Sequence, residues 1–226
     1  MTVKFWEKFK HKTFCDDRIV MINADCEAVM AEIRDREIDL VLTDPPYGID
    51  MANKINTITG GVKFDKKDWD KHIPKKEIFD SITRISRDQI IFGGNYFTDF
   101  LIPSSCWIVW DKKNGDSLFA DAEIAWTSFK SPIRIIQNHW CGSAAIHETG
   151  ENKIHPTQKP FKLFIKILNK YSKENDLIFD AFAGSFTTAI ACIRTKRRFI
   201  GVELDPVYFE KAVERVDTEL KQLTLF

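Results

Sequence analysis

The sequence predicts an α/β fold: a mostly parallel, twisted sheet with helices on both faces. Two observations carry that prediction. Short apolar runs alternate with longer amphipathic stretches along the chain, and one strand, small-residue turn and helix follow each other directly in the C-terminal third. Strands are expected at 19–22, 39–43, 89–92, 107–110, 176–179 and 198–202, and helices at about 26–36, 75–87, 160–172, 186–194 and 206–220. Two stretches break the rhythm, 48–73 and 111–152; both are polar, carry Gly and Asn, and read as loops or small insertions.

A chain of 226 residues suits one domain built around a single core. The 33 Lys and Arg balance 33 Asp and Glu, so any nucleic-acid binding has to come from local basic patches. The five cysteines are scattered and odd in number, which fits reduced thiols better than a disulfide framework. The first twelve residues interleave lysine with aromatics and lack the apolar core of a signal peptide, and no later run is long enough to span a membrane. A soluble, cytoplasmic protein is the expectation.

The first chemical signal closes the second predicted strand, where Asp39-Leu-Val-Leu-Thr runs into Asp44-Pro45-Pro46-Tyr47-Gly48. Ligands of open α/β sheets bind beyond the carboxyl ends of strands. An exocyclic base amine is a poor nucleophile because its lone pair is delocalised into the ring, so acceptors for its N–H bonds favour the pyramidal nitrogen. The Asp44 carboxylate and the Pro45 carbonyl offer two acceptors, and proline has no N–H to compete for them. Tyr47 then offers a face on which a base taken out of a duplex can stack. As an isolated match the segment is explained equally well as a turn after a strand.

The second signal is the strand ending at Asp180, the turn Ala181-Phe182-Ala183-Gly184-Ser185 and the helix that Phe186 and Thr187 open. Gly184 lets the backbone approach a ligand, and free N–H groups at the helix start attract a carboxylate. The following strand ends in Glu203, 23 positions after Asp180, near the spacing of a ribose-binding acid. A plain βαβ unit with a surface glutamate is the bland alternative. Upstream lies His155-Pro-Thr-Gln-Lys159-Pro160, in which Lys159 could meet a cofactor or a phosphate, or simply be a solvated lysine.

Together these three segments resemble the DNA amino-methyltransferases that modify adenine N6 or cytosine N4, in the permuted beta-class order with the DPPY tetrad ahead of the cofactor loop. The resemblance covers almost the whole chain. It implies a Rossmann-like fold dependent on S-adenosyl-L-methionine (AdoMet), with a catalytic half at about 18–110, a variable recognition insertion at about 111–152 and a cofactor half at about 153–226. It assigns catalysis to Asp44, Pro45, Pro46 and Tyr47. Cofactor contacts fall to Asp25, Asp44, Lys159, Asp180, Phe182, Ala183, Gly184, Ser185, Thr187, Glu203 and Leu204. For Asp25 a helix N-cap is the rival role. Gly93-Gly-Asn95-Tyr96-Phe97 is similar to another family segment and is expected near the pocket, or at a helix start.

Two positions depart from the family pattern: Ala181 stands where proline is usual and Phe186 where glycine is usual. A large ring at a close strand–helix approach can crowd the cofactor; the expectation is that Phe186 points away from the loop. The acid at the head of the tetrad favours adenine by association within the family.

The expected partner is double-stranded DNA, with phosphate contacts from the lysines of 61–76 and from Arg194, Lys196, Arg197 and Arg198, and a second copy of the chain could complete the grip. His139, Cys141 and His147 lack metal-site spacing, so no metal is expected. Methylation of RNA, and a non-catalytic nucleic-acid-binding relative, are the rival readings.

Overall fold

A computed structural model describes residues 4–51, 54, 68–115, 120–140 and 153–223. Among the described residues nine strands form one sheet in the order β1-β2-β9-β8-β3-β4-β6-β5-β7. They are β1 (Lys10–Phe14), β2 (Ile19–Asn23), β3 (Ile38–Thr43), β4 (Ser86–Phe92), β5 (Trp107–Asp111), β6 (Ala122–Thr127), β7 (Arg134–Gln137), β8 (Leu177–Asp180) and β9 (Arg198–Glu203). The pairs β2/β9, β9/β8, β8/β3, β3/β4 and β5/β7 are parallel; β1/β2, β4/β6 and β6/β5 are antiparallel. The helices are α1 (Cys26–Ala31), α2 (Lys76–Ile85), α3 (Phe161–Tyr171), α4 (Thr187–Arg194) and α5 (Pro206–Leu223).

The central strands bury both faces. In β2, Ile19 and Met21 join one apolar cluster with residues of α3, α4 and α5, while Val20 and Ile22 join a second with residues of α1 and α2. Alternate side chains leave a strand on opposite sides, so an uninterrupted apolar run is what a doubly covered parallel strand requires. Among the described residues no helix is long and apolar enough to cross a membrane.

The topology explains how distant motifs meet. From β3 the chain steps to β4 on one side, while β8, much later in sequence, pairs with β3 on the other through Leu40 with Ile178 and Val41 with Phe179. A crevice opens at such a switch point beyond the carboxyl ends of the strands. The motif order is thus permuted in sequence and contiguous in space.

Several sequence expectations are corrected. The helix expected at 26–36 is confined to Cys26–Ala31, since Arg36 has φ 54° and Glu37 folds back onto Arg34. The stretch 111–152, expected to be an insertion, supplies β6 and β7; β6 pairs directly with β4 and belongs to the sheet. β1 was not anticipated at all; its Lys-His-Lys start is exposed at the sheet edge. Much of the lysine-rich loop, with Lys63, Lys66 and Lys67, lies outside the described residues, as do Cys141 and His147.

Candidate active site

Two bends share one crevice. The tetrad turn leaves β3 at Asp44, the glycine bend leaves β8 at Gly184, and both line a single pocket of about 530 Å³. The strand ends are tied directly: Thr43 Oγ1 donates to Asp180 Oδ1 at 2.7 Å, and Thr188 Oγ1 donates to Asp180 Oδ2 at 2.6 Å. The Phe182 amide donates to the same carboxylate at 3.1 Å. Burial pushes the Asp180 carboxyl up to about 6 against these donors. Asp180 therefore fixes the loop that follows it.

Glu203, at the end of β9, accepts the Gly184 amide at 2.9 Å and the Asp205 amide at 2.7 Å. Burial raises its carboxyl to about 7 even with those two donors. Gly184 has φ +51°, a conformation open to glycine at little cost, and a Cβ there would meet the His155 ring at 3.5 Å. Leu204, 65% exposed, gives the rim an apolar lip. Asp25 caps α1 by accepting the Glu27 and Ala28 amides, and it also lines the pocket, so its two expected roles coexist. Phe182, Ala183, Ser185, Thr187 and Lys159 line it too, so every residue expected at the cofactor lines this one pocket.

Phe186 does not line the pocket. It begins α4 with φ 54°, its side chain fully buried, and meets Phe199 and Phe209 edge-on at 6.1 and 6.2 Å between ring centroids. The ring points into the core, as expected.

The tetrad is engaged with its surroundings in ways the sequence did not indicate. Asp44 and Pro46 line the pocket, whereas Pro45 is buried and does not. The Tyr47 hydroxyl donates to Asp44 Oδ1 at 2.6 Å. Tyr96 stacks on one face of Tyr47 at 4.9 Å and 14°, a partner the sequence did not indicate. Gly93 permits this packing, because a Cβ there would lie 2.1 Å from Tyr47 Cε1. The Gly93–Phe97 segment thus supports the tetrad and does not line the pocket.

Lys159 is not the solvated lysine of the alternative reading: it is 7% exposed, lines the pocket, and is held in an ion pair with Asp44 and another, at 3.1 Å, with Glu123. Glu123 further pairs with Lys112 at 2.6 Å and faces the Tyr47 hydroxyl at 3.3 Å. Burial works to raise Glu123, but Lys159 and Lys112 outweigh it and bring the carboxyl down to about 2. Asp44 shares only Lys159; burial raises its carboxyl, Lys159 opposes this and Glu123 adds to it. Burial likewise drives His155 down to about 3, so its ring is neutral between Trp69, stacked at 5.2 Å, and Tyr208, edge-on at 4.4 Å.

Three residues of this site escaped the sequence reading. Glu123 lay inside the stretch expected to be an insertion, and the short apolar run Ile124–Trp126 is the one signal that could have flagged a strand there. Asp70 accepts the Tyr47, Gly48 and Met51 amides and so holds the turn after the tetrad; Trp69 adds an aromatic wall. Both sit in a loop without periodicity.

The expected basic contacts from Arg194 to Arg198 are corrected by position. These residues precede β9 or begin it, at the opposite end of that strand from Glu203. Arg197 is buried and donates to the Leu168 and Ser172 carbonyls, while Arg194 pairs with Glu219 at 2.6 Å. Among the described lysines of the loop, Lys71 pairs with Asp68 and Lys76 with Asp80. Among the described residues no group of His, Cys, Asp and Glu could hold a metal ion.

Strand order, crevice and paired loops define the AdoMet-dependent DNA methyltransferase fold. M1.HpyAVI, solved as a SAM complex, superposes with a TM-score of 0.55 at 21% identity, covering 88% of this chain and 98% of that one. The cytosine-N4-specific PvuII DNA methyltransferase superposes with a TM-score of 0.59 at 18% identity, covering 92% and 89%. The chain's resemblance to DNA amino-methyltransferases is borne out in sequence as well: residues 130–214 match the DNA methylase family model. Type II methyltransferase M2.LlaDCHI of Lactococcus lactis subsp. cremoris is similar at 22% identity, covering 96% of this chain and 93% of its own length.

Proposed function

We propose that the protein is a site-specific DNA methyltransferase of the beta-class, DPPY type, one catalytic domain that transfers a methyl group from AdoMet to the exocyclic amine of a flipped base, adenine N6 in preference to cytosine N4. The observation that carries this reading is the charge of the crevice. It is lined by six acidic side chains, Asp25, Asp44, Asp68, Asp180, Glu203 and Asp205, and by one lysine, which is ion-paired. Such a wall repels a pyrophosphate and attracts a cation. AdoMet fits, because it combines a sulfonium and an ammonium with an adenosine for the apolar surface, and its carboxylate suits the start of α4.

AdoMet supplies an electrophilic methyl group when bound. Asp44 accepts an N–H of the incoming amine, with the Pro45 carbonyl as the second acceptor, and this favours a lone pair directed at the crevice. Tyr96 stacks on one face of Tyr47, so the aromatic surface near Asp44 is a pair of rings, of which Tyr96 is 42% exposed. Holding amine and methyl donor in line supplies much of the rate, where good positioning contributes ~7–11 kcal/mol.

The test is incubation with labelled AdoMet and duplex DNA, then nucleoside analysis. N6-methyladenine is the expected product. N4-methylcytosine would support the second reading, which the likeness to a cytosine-N4-specific enzyme favours. Label in RNA and not in DNA would overturn the assignment.

A further inference from the structure

The cation held against Asp44 creates a difficulty for the proposed reaction, and its resolution points to Glu123. A carboxylate that accepts an amine N–H must be ionised, yet its acceptor strength falls when an ammonium already occupies it. Lys159 Nζ pairs with Asp44 Oδ2, while the Tyr47 hydroxyl occupies Oδ1 at 2.6 Å. The same Nζ lies 3.1 Å from Glu123 Oε2 and 3.2 Å from the Tyr47 hydroxyl. Two carboxylates thus share one buried ammonium, and moving it from one to the other requires no new desolvation.

We propose that Glu123 is a positioning residue that takes Lys159 from Asp44 as the base enters, leaving Asp44 ionised with its Oδ2 free of the ammonium to accept from the amine. This rests on the methyltransferase reading above. The arrangement suits the task in three respects. Lys112 anchors the other oxygen of Glu123 at 2.6 Å, so that carboxylate stays in place while Lys159 moves. The four charges of Asp44, Glu123, Lys159 and Lys112 cancel before and after the move, and a neutral base adds none. Glu123 lies on β6, two residues before Ala125 pairs with Phe92 of β4, so its backbone is fixed by the sheet and not by a loop.

The groups facing Asp44 are Lys159, Glu123, Tyr47 and Asp180; Lys112 faces Glu123, and His155 lies near Lys159. In Glu123→Gln the negative charge that raises Asp44 is gone and Lys159 is left wholly to Asp44. Both changes lower the pH at which Asp44 ionises, and both weaken it as an acceptor. Turnover should fall on the order of 10²-fold, the scale of a small misplacement of reacting groups. The KM for DNA and the AdoMet affinity should hold, and the acid limb of the pH–rate profile should move to lower pH. Glu123→Asp should restore part of the turnover. A purely structural glutamate would lower the plateau without moving the limb.

The experiment compares the full chain with these two variants in steady-state methyl transfer across pH, alongside lysine side-chain NMR titration of the protein without DNA. The NMR readout stands whether or not transfer is seen: the Lys159 ammonium should lose its proton at lower pH in Glu123→Gln. Unchanged turnover, an unmoved acid limb, or an unchanged Lys159 titration would each overturn the proposal. If the unaltered chain transfers no methyl group to DNA while Lys159 responds as expected, the functional reading fails and the Lys159–Glu123 pairing stands.

Discussion

Thr43 Oγ1 donates to Asp180 Oδ1 at 2.7 Å, joining the last residue of β3 to the last residue of β8. Through this bond the tetrad strand and the cofactor strand share a side-chain link as well as backbone pairing. Thr43→Val keeps the shape and removes the donor. A hydrogen bond to a charged group contributes ~1.5–3 kcal/mol, so we expect a loss of about that size by denaturant titration, with weaker AdoMet binding. Thr43→Ser should behave like the unaltered chain.

Asp44→Ala separates chemistry from cofactor binding. The substitution removes the acceptor for the amine and leaves the Gly184 and Glu203 wall untouched. AdoMet binding by calorimetry should survive, and tritiated-methyl transfer to DNA should vanish. Retained turnover would remove Asp44 from the mechanism.

The parts of this arrangement that were legible in the sequence are those whose chemistry is local. Asp44 and Gly184 each stand at the end of an apolar run, and their bends do line one pocket. β1 was illegible because an edge strand exposes charge at Lys10 and Lys12, and β6 because its short run sits between polar loops. Glu123 and Lys159 became a pair only through the sheet order, which places β6 beside β4; no spacing in the chain encodes that. Nor could the sequence show that Tyr96 stacks on Tyr47, since both residues had plausible separate roles.

Phe186→Gly sets two effects against each other. Relief of the left-handed backbone at φ 54° is worth ~1–2 kcal/mol. Loss of a fully buried ring between Phe199 and Phe209 costs ~3–5 kcal/mol. The packing loss is larger, so the melting temperature should fall. AdoMet affinity should change little, because the ring is not part of the pocket wall.

Gly93→Ala should act on activity through Tyr47. The new Cβ would lie 2.1 Å from Cε1 of that ring, at a backbone φ of +66°. Strain of ~1–3 kcal/mol is expected from the backbone alone. The larger consequence is a displaced Tyr47, which loses its bond to Asp44. Turnover should collapse while AdoMet binding persists; ultraviolet difference spectra of the tyrosines would report the displaced ring.

Cofactor binding should release protons. In the free protein burial holds Asp180 at about 6 and Glu203 at about 7, so near neutral pH part of the population carries a proton on one of them. A cationic ligand beside these carboxyls favours their ionised forms, and affinity then rises as pH rises through about 7. Folding stability has the opposite sign. The native carboxyls bind protons that the unfolded chain, with ordinary carboxylates, has already lost, so their contribution declines as pH rises from the ordinary carboxylate range to about 7. Calorimetry in buffers of different ionisation enthalpy measures the released protons directly. Glu203→Gln should abolish most of the release near neutral pH, while a pH-independent affinity in the unaltered chain would show that neither carboxyl senses the ligand.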